Sequence, residues 1–286
     1  VPRLLKQPQA SVPMYQCASP TCKCDDPGSL SLEEMIVSDE QRREARGEVV
    51  FHNGIKYAGQ WIGEEPDGQG VQVWPDGGRY HGEFQGGRAE GFGTFEYANG
   101  SVYVGPWVND QAHGLGICTL DDGSTYRGEW EAGKQQGDGS LILADGTRFD
   151  GQYKDGAKNG HGVFAFRGDK EGCQYDGQFR EDAFHGKGTY SWSDGRKYEG
   201  QWRRNKMHGE GSFVFSDGRR YMGQYMDDFK SGDGVFDWPD GRSYKGQFVH
   251  GERHGVGLLT AKNGLARRGE WAMGKQVRWL DEFTRL

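Results

Sequence analysis

The stretch that decides the fold is YEGQWRRNKMHGEGSFVFSDGRR, residues 198–220. It holds an aromatic–glycine–aromatic triplet, Tyr198, Gly200 and Trp202, followed by a Gly-x-Gly pair and an apolar run that stops at Asp-Gly. This stretch has two interpretations, a phosphate-binding loop followed by arginines or one unit of a repeat. They are separated by whether the pattern recurs, because a structural repeat returns at a fixed period.

The pattern recurs every 23 residues along most of the chain. The leading aromatic residues are Tyr57, Tyr80, Tyr103, Tyr126, Phe149, Tyr175, Tyr198, Tyr221 and Tyr244. One step is 26 residues long, because the unit that begins at Phe149 carries a three-residue insertion. With the leading aromatic as position 0, position 2 is glycine, position 4 is aromatic, and positions 11 and 13 are glycine in every full unit. We therefore interpret the chain as a repeat protein and reject the phosphate loop.

The repeat predicts β-hairpins. Positions 0, 2 and 4 share one face of a strand, and positions 11, 13, 15 and 17 share one face of the next strand. The glycines are then expected to leave room for rings from neighbouring strands. The Asp-Gly and Asn-Gly pairs favour two-residue hairpin turns, which leaves a six-residue loop at positions 5–10 as the other connection. The predicted fold is all-β, an elongated single antiparallel meander of about ten hairpins that bury their rings against each other.

The aromatic residues of positions 0 and 4 are expected to form the core of this repeat. The predicted repeat-core residues are Tyr57, Trp61, Tyr80, Tyr103, Trp107, Tyr126, Trp130, Tyr175, Tyr198, Trp202, Tyr221 and Tyr244. Replacing Gly200 by valine is expected to cost about 1–3 kcal/mol of stability by overpacking.

The unit Tyr-x-Gly-x-Trp, six residues, Gly-x-Gly, five residues, Asp-Gly resembles the MORN (membrane occupation and recognition nexus) repeat over about residues 47–274. The resemblance implies a non-enzymatic scaffold or protein-interaction module without a cofactor. It also implies cytoskeletal, ciliary or membrane-associated assemblies as the setting, with homodimers and phospholipid binding among the known properties of such repeats. Because MORN arrays also occur fused to catalytic domains, the non-catalytic part of a larger enzyme is a further alternative.

The chain is expected to have four segments. They are an extended N-terminal arm at 1–28, a short helix at 29–46, the repeat array at 47–274 and a capping tail at 275–286. Ser31 and Glu34 form a capping box before an apolar face, which predicts the helix. It is expected to dock on the first strands, with partner binding as the alternative. The tail is expected to protect the edge of the last strand.

Two sets of residues are candidate metal ligands, and neither set predicts a metal site. The first set is Cys17, Cys22 and Cys24, and the second is the position-10 histidines His113, His185, His208 and His254. Tetrahedral zinc needs four ligands and only three cysteines lie close together, so zinc, lipidation, redox chemistry and plain thiols stay open for them. Whole units separate the histidines, so hydrogen bonds at loop ends are preferred to a metal site.

The charge pattern bounds the partners and the location. The net charge of −7 gives no general attraction to nucleic acid. No apolar run approaches the roughly 18 residues of a membrane span. Five unevenly spaced cysteines do not resemble a secreted disulfide framework. A cytoplasmic or a cytoskeleton- or cilium-associated location is expected.

One cluster of basic residues stands out from the repeat. The candidate interaction patch consists of Arg196, Lys197, Arg203, Arg204, Lys206, Arg219 and Arg220. It is interpreted as a solvated surface balanced by neighbouring acids, as a site for an acidic protein segment or an acidic phospholipid, or as a dimer contact. The expected partners are proteins, including a second copy of the chain, with acidic phospholipid as the alternative and no nucleic acid.

Overall fold

The computed structural model describes residues 43–285. The predicted arm at 1–28 and the predicted helix up to residue 42 lie outside the described residues. Residues 43–46 belong to a strand, so the predicted end of the helix at 46 is wrong. Their backbone pairs with the first full unit, where Glu44 lies opposite Trp61 and Arg46 opposite Gly59. These pairs satisfy backbone groups of residues 56–62, which would have no partner on that side if residues 43–46 were helical.

The described residues divide into two compact units, 43–98 with 106–112, and 99–105 with 113–285. The first contains β1 Arg43–Val50, β2 Lys56–Ile62, β3 Glu65–Val73, β4 Arg79–Gln85, β5 Arg88–Glu96 and β7 Gln111–Ala112, and β6 Val102–Val108 has residues in both. The second contains β8 Gly114–Thr119, β9 Thr125–Glu131, β10 Lys134–Ile142, β11 Arg148–Lys154, β12 Ala157–Ala165, β13 Gln174–Arg180, β14 Ala183–Ser191, β15 Lys197–Arg203, β16 Lys206–Val214, β17 Arg220–Met226, β18 Phe229–Asp237, β19 Ser243–Val249, β20 Glu252–Thr260, β21 Leu265–Ala272, β22 Lys275–Trp279 and β23 Thr284–Arg285.

Each of the two compact units is an antiparallel meander, so the predicted all-β hairpin fold is confirmed. Strands of mostly seven residues alternate with strands of mostly nine. Within residues 43–285 the helical content is limited to the 3₁₀ turn Gly168–Lys170, which lies in the three-residue insertion.

The leading tyrosine of each hairpin folds back over two paired glycines. In the hairpin β15–β16, Gly200 lies opposite Gly211. The Tyr198 hydroxyl donates a hydrogen bond to the carbonyl of Gln201 at 2.9 Å. A Cβ added to Gly200 would lie 2.6 Å from that hydroxyl oxygen and 2.5 Å from the Cα of Gly211. The ring over Gly200 therefore comes from its own strand, whereas the ring over Gly211 comes from the neighbouring strand as predicted.

Position 11 has a different role from the predicted one. Gly209 has a φ of 63° at an irregularity of the ladder between Gly200 and Trp202. This bulge turns position 11 away from the ring face. The amide oxygen of Gln201 accepts the backbone N–H of Glu210 at 3.0 Å. A Cβ on Gly209 would collide with the Gln201 side chain rather than with a ring.

The two connections of each hairpin are the reverse of the prediction. The tight turn joins β15 to β16 at Arg204 and Asn205, whose φ angles of 51° and 67° match the type I′ geometry. The Asp-Gly connection is a longer loop, in which Gly218 has a φ of 85° and donates its N–H to Phe215 at 3.0 Å. Glycine thus closes a three-residue loop with a bulge, and positions 5–10 are strand except for two residues.

Edge-to-face ring contacts connect successive hairpins. Tyr198 contacts Trp202 of its own hairpin at 5.0 Å and Tyr225 of the next hairpin at 5.2 Å, with interplanar angles of 90° and 82°. The Trp202 indole N–H donates to the carbonyl of Gly188 at 3.0 Å. Each such ring pair contributes about 0.5–1.5 kcal/mol beyond area burial. All twelve predicted repeat-core residues are buried.

The C-terminal tail pairs with β21. Trp271 lies opposite Gln276 in β22, and Leu265 lies opposite Arg285 in β23. The Asp281 carboxylate accepts a hydrogen bond from Arg268 Nε at 2.7 Å. The tail therefore occupies the hydrogen-bonding edge of the last long strand, where an unpaired edge would invite association.

Substitution of Gly200 by alanine tests the close pairing of glycines. One methyl group at this position would meet backbone atoms on the paired strand, which cannot rotate away. We expect Gly200→Ala to destabilise the protein by about 1–3 kcal/mol. The matched control is Glu199→Ala on the solvent face of the same strand, with an expected change within about 0.5 kcal/mol. Urea denaturation measures both, and equal costs would contradict the structure.

The buried tyrosines predict alkaline sensitivity. Burial, reinforced by the nearby Asp67 carboxylate, raises the pKa of Tyr57 from 10.0 to about 12, and burial also raises the pKa of Tyr198. Because the folded-state pKa lies above the unfolded value, burial of the protonated tyrosines contributes its full stability below pH 10. This contribution is lost as the pH rises toward about 12. We expect circular dichroism and tyrosinate absorbance to change together in that window. Ionisation of all the tyrosines with an unchanged circular dichroism spectrum would refute it.

Candidate functional site

The predicted basic patch is divided between the two ends of a hairpin. Arg203, Arg204 and Lys206 lie at or beside the tight turn, whereas Arg196 and Arg219 lie in the Asp-Gly loops at the opposite end. A seven-residue strand such as β15 separates the two ends by roughly 20 Å. Two of the patch residues begin strands, namely Lys197 and Arg220. The structure therefore does not bring the seven residues together at one point.

Four of these seven basic residues have carboxylate partners. The pairs are Arg196 with Asp194 at 2.7 Å, Arg219 with Asp217 at 2.7 Å, Arg203 with Asp227 at 3.3 Å and Lys197 with Glu199 at 3.5 Å. Among residues 43–285, Arg204, Lys206 and Arg220 form no ion pair. Local pairing thus lowers the net positive charge of the patch at both ends.

A row of half-buried rings follows the Asp-Gly loops of the second unit. We call this row with its basic residues the aromatic–arginine strip, which consists of Phe166, Trp192, Phe215 and Trp238 with Lys170, Arg196, Arg219 and Arg242. The ring stands at position 17, where the loop begins, and each arginine stands four residues later. The sequence signal is the series WSDGR, FSDGR and WPDGR at 192–196, 215–219 and 238–242.

Each arginine of the strip is held over a ring by an aspartate of the same loop. The guanidinium of Arg219 lies 5.0 Å from the centre of the Phe215 ring, and its Nε donates to the Asp217 carboxylate at 2.7 Å. Within the described chain, the hydrogen bonds of this side chain involve Nε alone. The terminal nitrogens therefore keep donor capacity for a ligand.

The rings of the strip are regularly spaced. Trp192 lies 5.3 Å from Phe213, which lies 4.6 Å from Phe215, so Trp192 and Phe215 are at most about 10 Å apart. Phe236 connects Phe215 to Trp238 in the same way, at 5.9 and 4.7 Å. This interval corresponds to two strand spacings of about 4.8 Å each. The sequence places position 17 on the same face as positions 11, 13 and 15. The periodicity does not reveal that a ring at position 17 is only half-buried.

Basic side chains also lie among the rings at position 9. Lys158 is 4% exposed, contacts the ring of Phe149 at 5.4 Å and is paired with Asp182 at 3.5 Å. Burial lowers the pKa of Lys158, and the charge of Asp182 opposes this shift. Burial also lowers the pKa of Lys230, which stands at the equivalent position in a later hairpin.

Other kinds of site were sought in the described part of the chain. Residues 43–285 contain no group of three or more His, Cys, Asp or Glu side chains that could hold a metal ion. Among the same residues, no helix has the length and hydropathy required to cross a bilayer. The position-10 histidines do not converge. The buried Nδ1 atoms of His208 and His254 have no hydrogen-bond partner among the described residues, and that of His208 lies 3.7 Å from an Asp227 carboxylate oxygen.

The repeated ring-over-glycine hairpin defines a class of β-hairpin repeat protein. The MORN repeat family profile matches nine segments, at 57–79, 80–102, 103–125, 126–148, 149–168, 175–195, 198–219, 221–241 and 244–266. The chain belongs to the MORN repeat family. The comparison with curated proteins gave no significant match.

The comparison with solved structures gave matches of low sequence identity. The E1021V mutant of the TCP10 domain of Danio rerio CPAP is 14% identical, with a TM-score of 0.40, over 76% of this chain and 99% of that one. The SAS-4 (dCPAP) TCP domain of Drosophila melanogaster, solved with a proline-rich motif of Ana2, is 9% identical, with a TM-score of 0.25, over 88% and 99% of the two chains.

The ion pair between the buried Lys158 and the half-exposed Asp182 gives a stability prediction. Asp182→Asn keeps an oxygen that can accept the Lys158 backbone N–H, as Asn205 does for Phe184, but leaves the Lys158 charge without its partner. We expect a loss of about 1–3 kcal/mol in urea denaturation.

The control for this change is Asp228→Asn. Asp228 makes the equivalent backbone hydrogen bond to Met207, a residue without charge. Its substitution is expected to change stability by no more than about 0.5 kcal/mol. Equal losses in the two variants would show that the charge of Lys158 is not compensated by Asp182.

Proposed function

We propose that this chain is a non-catalytic scaffold that binds a protein partner, and that the partner lies along the aromatic–arginine strip as an extended proline-rich segment. The observation that carries the proposal is the row of half-buried rings, two strand spacings and at most about 10 Å apart, each with a basic side chain over it. Half-exposed aromatic rings are enriched where proteins bind each other, because they supply large contact area at a small cost in conformational entropy.

The ring interval matches one conformation of a bound segment. A polyproline II helix has three residues per turn and rises about 3.1 Å per residue, so equivalent side chains return every 9.3 Å or so. A fully extended β-strand repeats its side chains on one face at about 6.6 Å, which does not match the interval. Every third residue of a polyproline II segment therefore meets a successive ring of the strip.

The arginines of the strip match the backbone of the same segment. Polyproline II has no internal hydrogen bonds, so its carbonyl oxygens remain available as acceptors. The terminal nitrogens of Arg196, Arg219 and Arg242 follow one another at the repeat interval and supply donors to such carbonyls. The aspartates that hold the arginines also keep the strip close to neutral, which suits an uncharged proline-rich backbone better than an anionic surface.

Binding of acidic phospholipid through the predicted basic patch is the second candidate. Arg204, Lys206 and Arg220 support it, because they form no ion pair within residues 43–285. The roughly 20 Å between the two ends of the hairpin and the four local ion pairs argue against it, since a membrane surface is attracted by net positive charge in one place. We also propose a cytoplasmic or a cytoskeleton- or cilium-associated location for the protein.

Binding of a proline-rich peptide tests the proposed function. We expect a peptide of about twelve prolines, four turns of polyproline II, to quench the fluorescence of Trp192 and Trp238. Phe215→Ala is expected to weaken binding about tenfold or more, as removal of a central interface ring does.

The matched control is Phe229→Ala. Phe229 is also exposed and aromatic but lies outside the strip, so its removal should leave the affinity unchanged. A glycine–serine peptide of equal length should not bind, and circular dichroism verifies the fold of each variant. Absent binding, or equal affinity of both variants, would overturn the proposal. Binding to phosphatidylserine vesicles that Arg204→Glu abolishes would favour the lipid candidate.

A further inference from the structure

Lys230 lies in a cage of four aromatic rings without a hydrogen-bond acceptor. Its Nζ is 4.9 Å from the centre of the Phe236 ring, 5.6 Å from Tyr221, 5.8 Å from Phe248 and 5.9 Å from Phe215. Within residues 43–285, no carboxylate lies at ion-pair distance from this ammonium, and it donates no hydrogen bond. The side chain is half-buried, so part of its hydration is lost.

The two other basic residues at position 9 have acceptors. Lys158 donates to the Asp182 carboxylate at 3.5 Å, and Arg253 donates to the carbonyl of Gly274 at 3.2 Å. All three lie over rings. The hairpin geometry therefore places a cation over the rings in each case, but it supplies an acceptor within the described chain to two of the three.

A second cation lies on one of the rings that surround Lys230. Arg219 stacks on Phe215 at 5.0 Å, and the Lys230 ammonium is 5.9 Å from the same ring. Burial lowers the pKa of Lys230, Glu252 opposes the shift and the charge of Arg219 adds to it. The Asp217 carboxylate balances Arg219 alone. Two cations thus lie over Phe215, and of the two only Arg219 has an ion-pair partner within residues 43–285.

We propose that Lys230 and Arg219 form a binding site for a carboxylate, supplied by a glutamate or aspartate of the segment bound on the strip. This inference rests on the proposed function, because it places the acidic residue within the same segment. The ligand carboxylate accepts hydrogen bonds from the Lys230 ammonium and from a terminal nitrogen of Arg219. Such charge-assisted hydrogen bonds are strong where surrounding rings exclude water.

The place of Phe215 within the strip determines the spacing of the ligand. Phe215 stands between Trp192 and Trp238, and each interval spans about three residues of polyproline II. A segment with its acidic residue at Phe215 therefore presents prolines three residues before and three residues after that residue. The recognised pattern is Pro-x-x-Glu-x-x-Pro, in either chain direction.

Two peptides test the site, one proline-rich with a single central glutamate and the other with glutamine in its place. We expect the unmodified protein to bind the glutamate peptide about tenfold more tightly, as for one charge-assisted contact. Lys230→Met keeps an unbranched apolar stem within the rings and removes the charge. It is expected to abolish the preference and to leave the affinity for the glutamine peptide within about twofold.

Lys170→Met is the matched control, because Lys170 also lies over a strip ring, Phe166, but far along the row from Phe215. It should retain the preference for glutamate. Failure of both peptides to bind would overturn the proposed function. Binding of both peptides without a preference, or a preference that survives in Lys230→Met, would overturn the carboxylate site and leave the proline-binding strip standing.

Discussion

The packing of one aromatic ring over a pair of glycines is the contact on which the fold depends. Tyr198 crosses its own strand over Gly200 and reaches Gly211 on the paired strand, and a side chain at either glycine would occupy the space of the ring. Phe149 covers Gly151 in the same way without a hydroxyl group. The steric fit of ring and glycine is therefore the essential element, and the tyrosine hydrogen bond is an addition to it.

Once the ring is buried, the hairpin connects to its neighbours by contacts that every unit repeats. The ring meets the position-4 aromatic of the next hairpin edge to face, as Tyr198 meets Tyr225. The tight turn adds a second connection, because the N–H of Asn205 donates to the carbonyl of Phe184 while its side chain accepts the N–H of that residue. Stability then comes from nearest neighbours, as in other repeat proteins.

The repeat, the fold class and the buried rings follow from the sequence, because a glycine two residues after an aromatic has meaning only where side chains alternate. The sequence predicts the tight turn at Asp-Gly, but the structure has it at positions 6 and 7. Both connections contain residues with positive φ, glycine in one and other residue types in the other. Glycine at position 218 indicates a positive φ from the sequence alone, whereas the φ of 51° at Arg204 cannot be predicted from its residue type. The division of the basic patch between two ends has a related cause. Arg203 and Arg219 are close in sequence, but a hairpin sends them to opposite ends.

The candidate site lies where the repeat leaves the sequence free to vary. At position 9 the backbone carbonyl accepts an N–H from the turn of the next hairpin, as the carbonyl of Lys158 does from Asp182 and that of Lys230 from Gly251. This contact does not depend on the side chain at that position, which lies among the rings. Its identity changes from one hairpin to the next without altering the fold, and this freedom allows a charged residue, Lys230, beside Phe215 of the strip. The proposed recognition therefore rests on such variable positions, since the ring and glycine positions must stay the same in every unit.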